Sequence, residues 1–535
     1  MKKFATLAGI VCVIATSAAQ PAVDLGTISR IKQEALTQSQ VMDHVGWMSD
    51  VYGPRVTGTP NFQRASEWAM KRFNEWGLAN VHQERFAFGQ GWRVERFAAH
   101  IVAPEPQPII GYPRTFSPST KGTIVGDVVR VEIRTDADLA QYKGTLKDKI
   151  VLAQAPRAVR MLDGRIVLRM NDKDIEEAWA TPIPAGPSGT AGASGASGAA
   201  GAAATGPSLA EKIAQFFVAE GVAALLERGL DSDMSAGGSD LSWQTQRVDG
   251  GTVFPTGGGS RDPKAPLQVP SATIAVEHYN RMIRVLEKKI PVRVELNIQT
   301  TIYPEAASAA NGINTIADIP GSDLADEVVI MGAHLDTTPG ATGATDNATG
   351  SAAMMEVGRI IKSLGLRPRR TIRIALWGGE EQGLLGSRAY VAEHYGTGAN
   401  PTPAHAKLAA YYNLDNGTGR IRGIWGQGNL GAMALFTQWI DTVKDLGVEI
   451  VGPRSVGATD HVAFDSQGLP GFQFIQERLE YNSRTHHSNM DFVDRVQRED
   501  LIQQAAVAAV FAWYTANWPE KLPRKASPAK PATAQ

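Results

Sequence analysis

Between Val328 and Glu381 the chain carries His334, Asp336, Asp346, Glu380 and Glu381, each close behind an apolar run. Acids and an imidazole on short loops have the composition of a metal site. Two further candidates lie downstream: Asp415 follows the apolar run LAAYYNL, and His487 sits in the polar loop RTHHSNMD beside His486. The two histidines His334 and His487 with three of these carboxylates, Glu380 being left over, would suit a pair of zinc ions. Each ion would take one imidazole and one carboxylate, a further carboxylate would bridge them, and water would fill an open position. Ions so paired, about 3.5–4 Å apart, clamp the attacking and departing oxygens of a hydrolysis. Glu380 and Glu381 are adjacent, so on a loop one can face the water as a general base while the other faces metal.

The elements that must position these groups are legible around them. VVIMGA and TIRIALW are β-branched and nearly uncharged, as expected of strands buried on both faces of a parallel sheet. Between them Ala353, Val357, Ile360 and Leu364 recur at helical spacing, which predicts a helix from Ala348 to Leu364 as the crossover of a βαβ unit. Ligands gather outside the carboxyl ends of the strands in open α/β sheets, and the candidates lie there.

Composition limits the alternatives. The 535 residues exceed one compact core, so two domains with tails are expected. A formal net charge of -1 offers no footprint for nucleic acid or an anionic membrane surface. The start, MKKFATLAGIVCVIATSAAQP, reads as a secretory signal over residues 1–19, which implies export to the periplasm or medium. Its apolar run is too short for a membrane span, and no later run is long enough. Cys12 is the only cysteine, so a metal in the mature chain must be held by His and carboxylates.

Ile28 to Gly77 is predicted helical, with a turn at Tyr52-Gly53-Pro54, and Val81 to Val102 has β character. These open the first part of the metal-bearing domain, residues 20–117. A second βα pattern then runs over 118–300 as an inserted smaller domain. Within it, 184–207 contains only Pro, Ala, Gly, Ser and Thr and is predicted to be a flexible loop. The Gly-rich stretch 250–259 lacks the Lys-Ser/Thr ending and following helix of a phosphate cradle. From 301 to 520 the first texture returns, with strands expected at Asn314 to Ile319, Val328 to Ala333, Thr371 to Trp377, Leu408 to Leu414 and Gly471 to Ile475. Helices are expected at Leu430 to Leu446 and Gln497 to Trp518, and residues 521–535 read as a disordered tail.

The segments GAHLDTT, GATDNATGSAAMMEVGR, LWGGEEQGLLGSRAYV, NLDNG, GATDHVAFDSQGLPG and HHSNMD resemble peptidase family M28, the di-zinc exopeptidases. The carboxypeptidase Q type is suggested by the His486-His487 pair, the short step from His334 to Asp346 and the ending AVFAWYTANWPEKLPR. The resemblance implies a three-layer α/β/α domain with a mainly parallel mixed sheet, and an insert resembling the protease-associated domain. It implies two zinc ions per chain: His334 and Asp415 on one, Glu381 and His487 on the other, and Asp346 between them. Glu380 would be the general base, and Asp336 the acceptor that orients His334. The substrate would be a dipeptide or short peptide, with aminopeptidase action as the alternative, and the resemblance suggests a homodimer. Asn347-Ala348-Thr349 departs from the acidic, Gly-rich run of the carboxypeptidase Q type. A receptor-like member without catalysis would have lost ligands that are all present here.

Four further residues are candidates for substrate binding. His486 either lines the pocket or occupies the loop. Asp460 and His461 either stand near the substrate or serve locally, with Asp460 as a helix N-cap. Tyr481 is a candidate donor to the oxyanion.

Overall fold

The computed structural model describes residues 24–180, 207–229, 234–235, 245–255, 257–303 and 311–525. The signal-like residues 1–19 and nearly all of the 184–207 loop lie outside the described residues.

An eight-stranded mixed sheet forms the larger unit. Its spatial order is Ala79–Phe86, Gly312–Ile319, Arg370–Trp377, Leu324–His334, Leu408–Asn413, Gly471–Gln476, Ile421–Trp425 and Ile450–Gly452. The four central strands, from Arg370–Trp377 to Gly471–Gln476, run parallel. Both sides of the sheet are covered, and the side chains divide between them with period two. Val329, Met331 and Ala333 enter one core with Ile372, Ile374 and Leu376. Ile330, Ala375 and Trp377 point the other way, against Tyr390 and Phe464. Helices Leu25–Gln38, Pro60–Glu75, Thr349–Ser363 and Arg498–Asn517 supply the first layer; Leu385–His394 and His461–Asp465 belong to the second. The expected three-layer α/β/α architecture is therefore present.

Local chemistry explains the elements. Pro60–Glu75 starts where the Thr59 hydroxyl accepts from the Phe62 amide and Pro60 fills the first helical position. Arg498–Asn517 is rich in alanine and buried almost all round, so it packs as a central helix without a polar face.

The second unit is built on another mixed eight-stranded sheet, in which Gly91–Ala103 pairs antiparallel with Arg293–Tyr303. Its core is closed by Tyr279, Met282 and Ile283 of helix Val276–Glu287. Two expected boundaries shift. The β run Val81 to Val102 divides, Ala79–Phe86 joining the first sheet and Gly91–Ala103 the second, so the insert starts near residue 91 instead of 118. Alternation marks both strands equally and cannot say which sheet each joins. At the C-terminus, 521–525 is packed and not loose: Leu522 is buried, and Arg524 donates to the carbonyls of Gly468, His405 and Leu408. The remaining tail lies outside the described residues.

Candidate metal centre

The predicted residues arrive from separate strand ends. His334 closes its strand, Asp336 follows two residues later, and Glu380 and Glu381 follow strand Arg370–Trp377 after two glycines. Asp415 follows Leu408–Asn413, and His487 lies in the loop beyond Gly471–Gln476 with φ +53°. Asp346 sits in the turn ahead of helix Thr349–Ser363, and its peptide bond to Asn347 is cis. Helix and strand meet closely here: a Cβ on Gly350 would stand 2.3 Å from the Leu414 carbonyl oxygen.

His334 Nε2 lies 3.3 Å from both Asp346 Oδ1 and Asp415 Oδ1. His487 Nε2 lies 3.3 Å from Asp346 Oδ2 and 2.8 Å from Glu381 Oε2. Asp346 thus turns one oxygen to each imidazole. Two ligands on one tetrahedral zinc with bonds near 2.0–2.1 Å stand about 3.3 Å apart, the spacing found on both sides of Asp346.

The tautomer strengthens the fit. His334 Nδ1 is 3.0 Å from the Asp336 carbonyl, which can only accept, so Nδ1 carries the hydrogen. A neutral His334 then aims the Nε2 lone pair at two carboxylate oxygens, an arrangement that a bound metal cation makes favourable. Asp346 Oδ2 and Glu381 Oε2 are buried without a hydrogen-bond donor. The donor set of imidazole nitrogens and carboxylate oxygens suits zinc.

Electrostatics follow from so many buried acids. Burial lowers His334, but Asp415, Glu380, Asp336 and Asp346 outweigh it and hold the imidazole well above its ordinary pKa. Burial likewise lowers His487, yet Glu381 and Asp346 carry it to about 9. Burial would raise Asp346, but the three imidazoles of His334, His487 and His486 hold it below the usual carboxylate range. Glu380 moves the other way: burial raises it well above the ordinary value, His334 opposes, and Asp415, Asp460 and Glu381 add to the rise. Its Oε2 lies 4.0 Å from His334 Nε2, and its amide donates to Asp336 Oδ1 at 3.2 Å.

Of the remaining candidates, His486 lines the centre. Its Nε2 is 3.9 Å from Asp346 Oδ2, and its ring packs between Tyr481 and His487. The side chains of His486 and His487 are 35% and 37% exposed, which marks this edge as the open one. Tyr481 places its hydroxyl 3.5 Å from Asp415 Oδ1. Asp460 and His461 are both fully buried. Asp460 occupies an N-cap position but makes no capping bond, and burial beside Asp415 and Asp336, against His334, raises it to about 7. His461 Nε2 donates to the Val456 carbonyl, and burial lowers it to about 4.

Three supporting residues escaped the sequence reading. Asp491 accepts from the amides of Thr345 and Asp346 at 2.6 and 2.9 Å and so fixes the Asp346 turn. Thr57 donates to Asp336 Oδ2 and accepts from the Gly379 amide. Arg55 is wholly buried and donates to the carbonyls of Leu335, Met48, Thr342 and Gly343. The HHSNMD motif could have drawn notice to Asp491; Arg55, in a turn remote in sequence, gave no signal.

Imidazoles and carboxylates converging at the carboxyl ends of a parallel sheet, between two helical layers, define the architecture of a metal-dependent hydrolase. Residues 314–512 match the model of peptidase family M28. Carboxypeptidase Q of Bos taurus is 31% identical over 261 residues, covering 49% of this chain and 52% of that protein. The chain thus spans about half the length of the curated relatives it matches. The crystal structure of a peptidase M28 precursor from Shewanella amazonensis SB2B is similar with a TM-score of 0.63 and 25% identity, covering 94% of this chain and 99% of that one. A zinc aminopeptidase from Bacillus subtilis shares the fold, with a TM-score of 0.52, 16% identity and coverage of 90% and 96%.

Proposed function

We propose that the chain is a zinc-dependent exopeptidase that hydrolyses dipeptides or short peptides. His334 and Asp415 would hold one zinc and Glu381 and His487 the other, with Asp346 placed to serve both. The observation that carries this reading is Asp346, whose two oxygens each stand 3.3 Å from a different imidazole. When bound, the ions supply Lewis-acid activation of water and of the scissile carbonyl.

The chain's own groups do the rest. Glu380 takes the proton of the attacking water and returns it to the departing amine, and its raised pKa suits both transfers. The Asp336 carbonyl fixes the His334 tautomer. Tyr481 donates its hydroxyl to the developing oxyanion. Glu380→Gln should keep zinc bound and lower kcat by about 10²–10⁴-fold. Near-normal turnover of a dipeptide by that variant would remove Glu380 from the mechanism.

Carboxypeptidase Q-like action is favoured over aminopeptidase action by the cations beside the open edge. Arg247, from the second unit, and Arg478 both help to depress the His486 pKa, after burial and His487. The Arg247 guanidinium lies over the Phe254 ring at 4.6 Å. A free α-carboxylate would find a counter-charge there. Arg247→Ala should raise KM for a free dipeptide and leave its C-amidated form unaffected; equal effects on both would favour the aminopeptidase reading. Export by residues 1–19, a protease-associated identity for the second unit and a homodimer complete the proposal. No helix of the described residues is long and apolar enough to cross a membrane.

A further inference from the structure

A second gathering of imidazoles and carboxylates lies on the edge strand of the larger sheet. His82 and Glu84 are two residues apart in strand Ala79–Phe86, so their side chains share a face. Glu393 and His394 close helix Leu385–His394. Glu84 reaches in both directions, with Oε1 3.1 Å from His82 Nε2 and Oε2 2.9 Å from His394 Nε2. Donor atoms of Glu84, Glu393 and His394 lie within 4.8 Å of one another.

The tautomer of His82 is decided by its surroundings. Its Nδ1 lies 2.7 Å from the Asn80 carbonyl, an acceptor only, and therefore carries the hydrogen. In the neutral imidazole Nε2 then offers a lone pair to the Glu84 carboxylate, so two acceptors face each other. Either a proton on Nε2 or a metal cation between the two satisfies both, and the carboxylates of Glu84 and Glu393 beside His394 give a cation further oxygen and nitrogen ligands. The side chains of His82 and His394 are 37% and 34% exposed and that of Glu84 17%, so an ion can enter from solvent and still be partly enclosed.

We infer that His82, Glu84, Glu393 and His394 form a second, structural site for a divalent transition metal, outside the M28 centre. Two imidazoles with carboxylates select zinc over calcium or magnesium, which take oxygen ligands. The ion ties the edge strand to a helix whose other end is bound to the turn carrying Glu380 and Glu381. Leu385 and Gly386 donate there to the carbonyls of Gly379 and Gly378. The site thus anchors the far end of the element that follows the proposed base, without touching the reaction.

The test is a zinc count. The full chain is stripped by chelation and titrated with zinc against a chromophoric competitor, beside the double variant H82A/H394A and the milder pair H82N/H394Q. Far-UV circular dichroism verifies their folding. The wild type should bind one zinc per chain more than either variant, while dipeptide hydrolysis at saturating zinc stays the same. The zinc-dependent rise in Tm should also be smaller in the variants. Equal zinc counts in wild type and the folded conservative pair would overturn the site and leave only a His–Glu–His proton-sharing cluster. Because the readout is a difference between chains, it does not depend on how many ions the M28 centre takes.

Discussion

Asp491 accepts from the backbone of the turn from which Asp346 directs one oxygen to each imidazole. The Asp491 carboxylate receives two adjacent amides, and burial beside Asp346, partly offset by the Thr345 amide, raises its pKa to about 7. Asp491→Ala should therefore weaken zinc binding by about 10–100-fold, the usual cost of losing a group that orients a ligand, as read by chelator competition. Retention of wild-type affinity would show that the turn holds its shape unaided. His334, Glu380, Glu381 and Asp415 were legible because each closely follows an apolar run, whereas Asp346 and His487, in a Gly/Thr-rich turn and a polar loop, became legible through the resemblance. Their supports were not, since the hydrogen bond from the Thr345 amide to the Asp491 carboxylate spans 146 positions and leaves no local pattern.

Helix Thr349–Ser363 is where burial and charge meet. Glu356 is fully buried within it, accepting from Arg359 Nε and Nη2 at 2.7 and 2.9 Å and standing 3.2 Å from His44 Nε2. Burial alone would raise its pKa, but His44 and Arg359 outweigh that and hold it below 4.5. A carboxyl with a depressed folded pKa contributes stability above its unfolded value and loses it as pH falls through the folded one. Glu356→Gln should cost on the order of 2 kcal/mol at neutral pH, less than the roughly 3–5 of a buried charge left alone, because Glu34 still pairs with Arg359. Denaturant melts should show the gap between variant and wild type closing as pH drops below about 4.5; a gap independent of pH would assign the loss to packing.

Among the elements, the five expected strands of the larger sheet were readable because burial on both faces makes them largely apolar and β-branched. Ile421–Trp425, broken by Arg422 and Gly423, and Ile450–Gly452, only three residues long, gave no such run. Helix Leu385–His394 also went unread, since LGSRAYVAEH shows little periodicity.

For the whole molecule, metal and stability should be coupled. Asp346, Glu381 and Asp415 are buried acids within a few ångström of one another's imidazole partners. Removing zinc by chelation should lower Tm, and zinc at a thousand times its Kd should restore about 4 kcal/mol. Calorimetry across a zinc series tests this, a Tm indifferent to zinc being the contrary result. The relation of the two units was the least legible feature, because pairing partners such as Gly91 and Tyr303 lie far apart in the chain.

The residues that flank the two chain crossings between the units are cross-strand neighbours in both sheets. Phe86 stands opposite Gly312 in one sheet, and Gly91 opposite Tyr303 in the other. The second unit is therefore a cassette inserted at the tip of a β-hairpin: joining Phe86 to Gly312 by a two-residue Asn-Gly turn would excise it and leave the sheet register unbroken. Lineages could gain, lose or exchange such a cassette in one genetic step, altering what reaches the open edge of the centre while the residues that perform the chemistry stay in place.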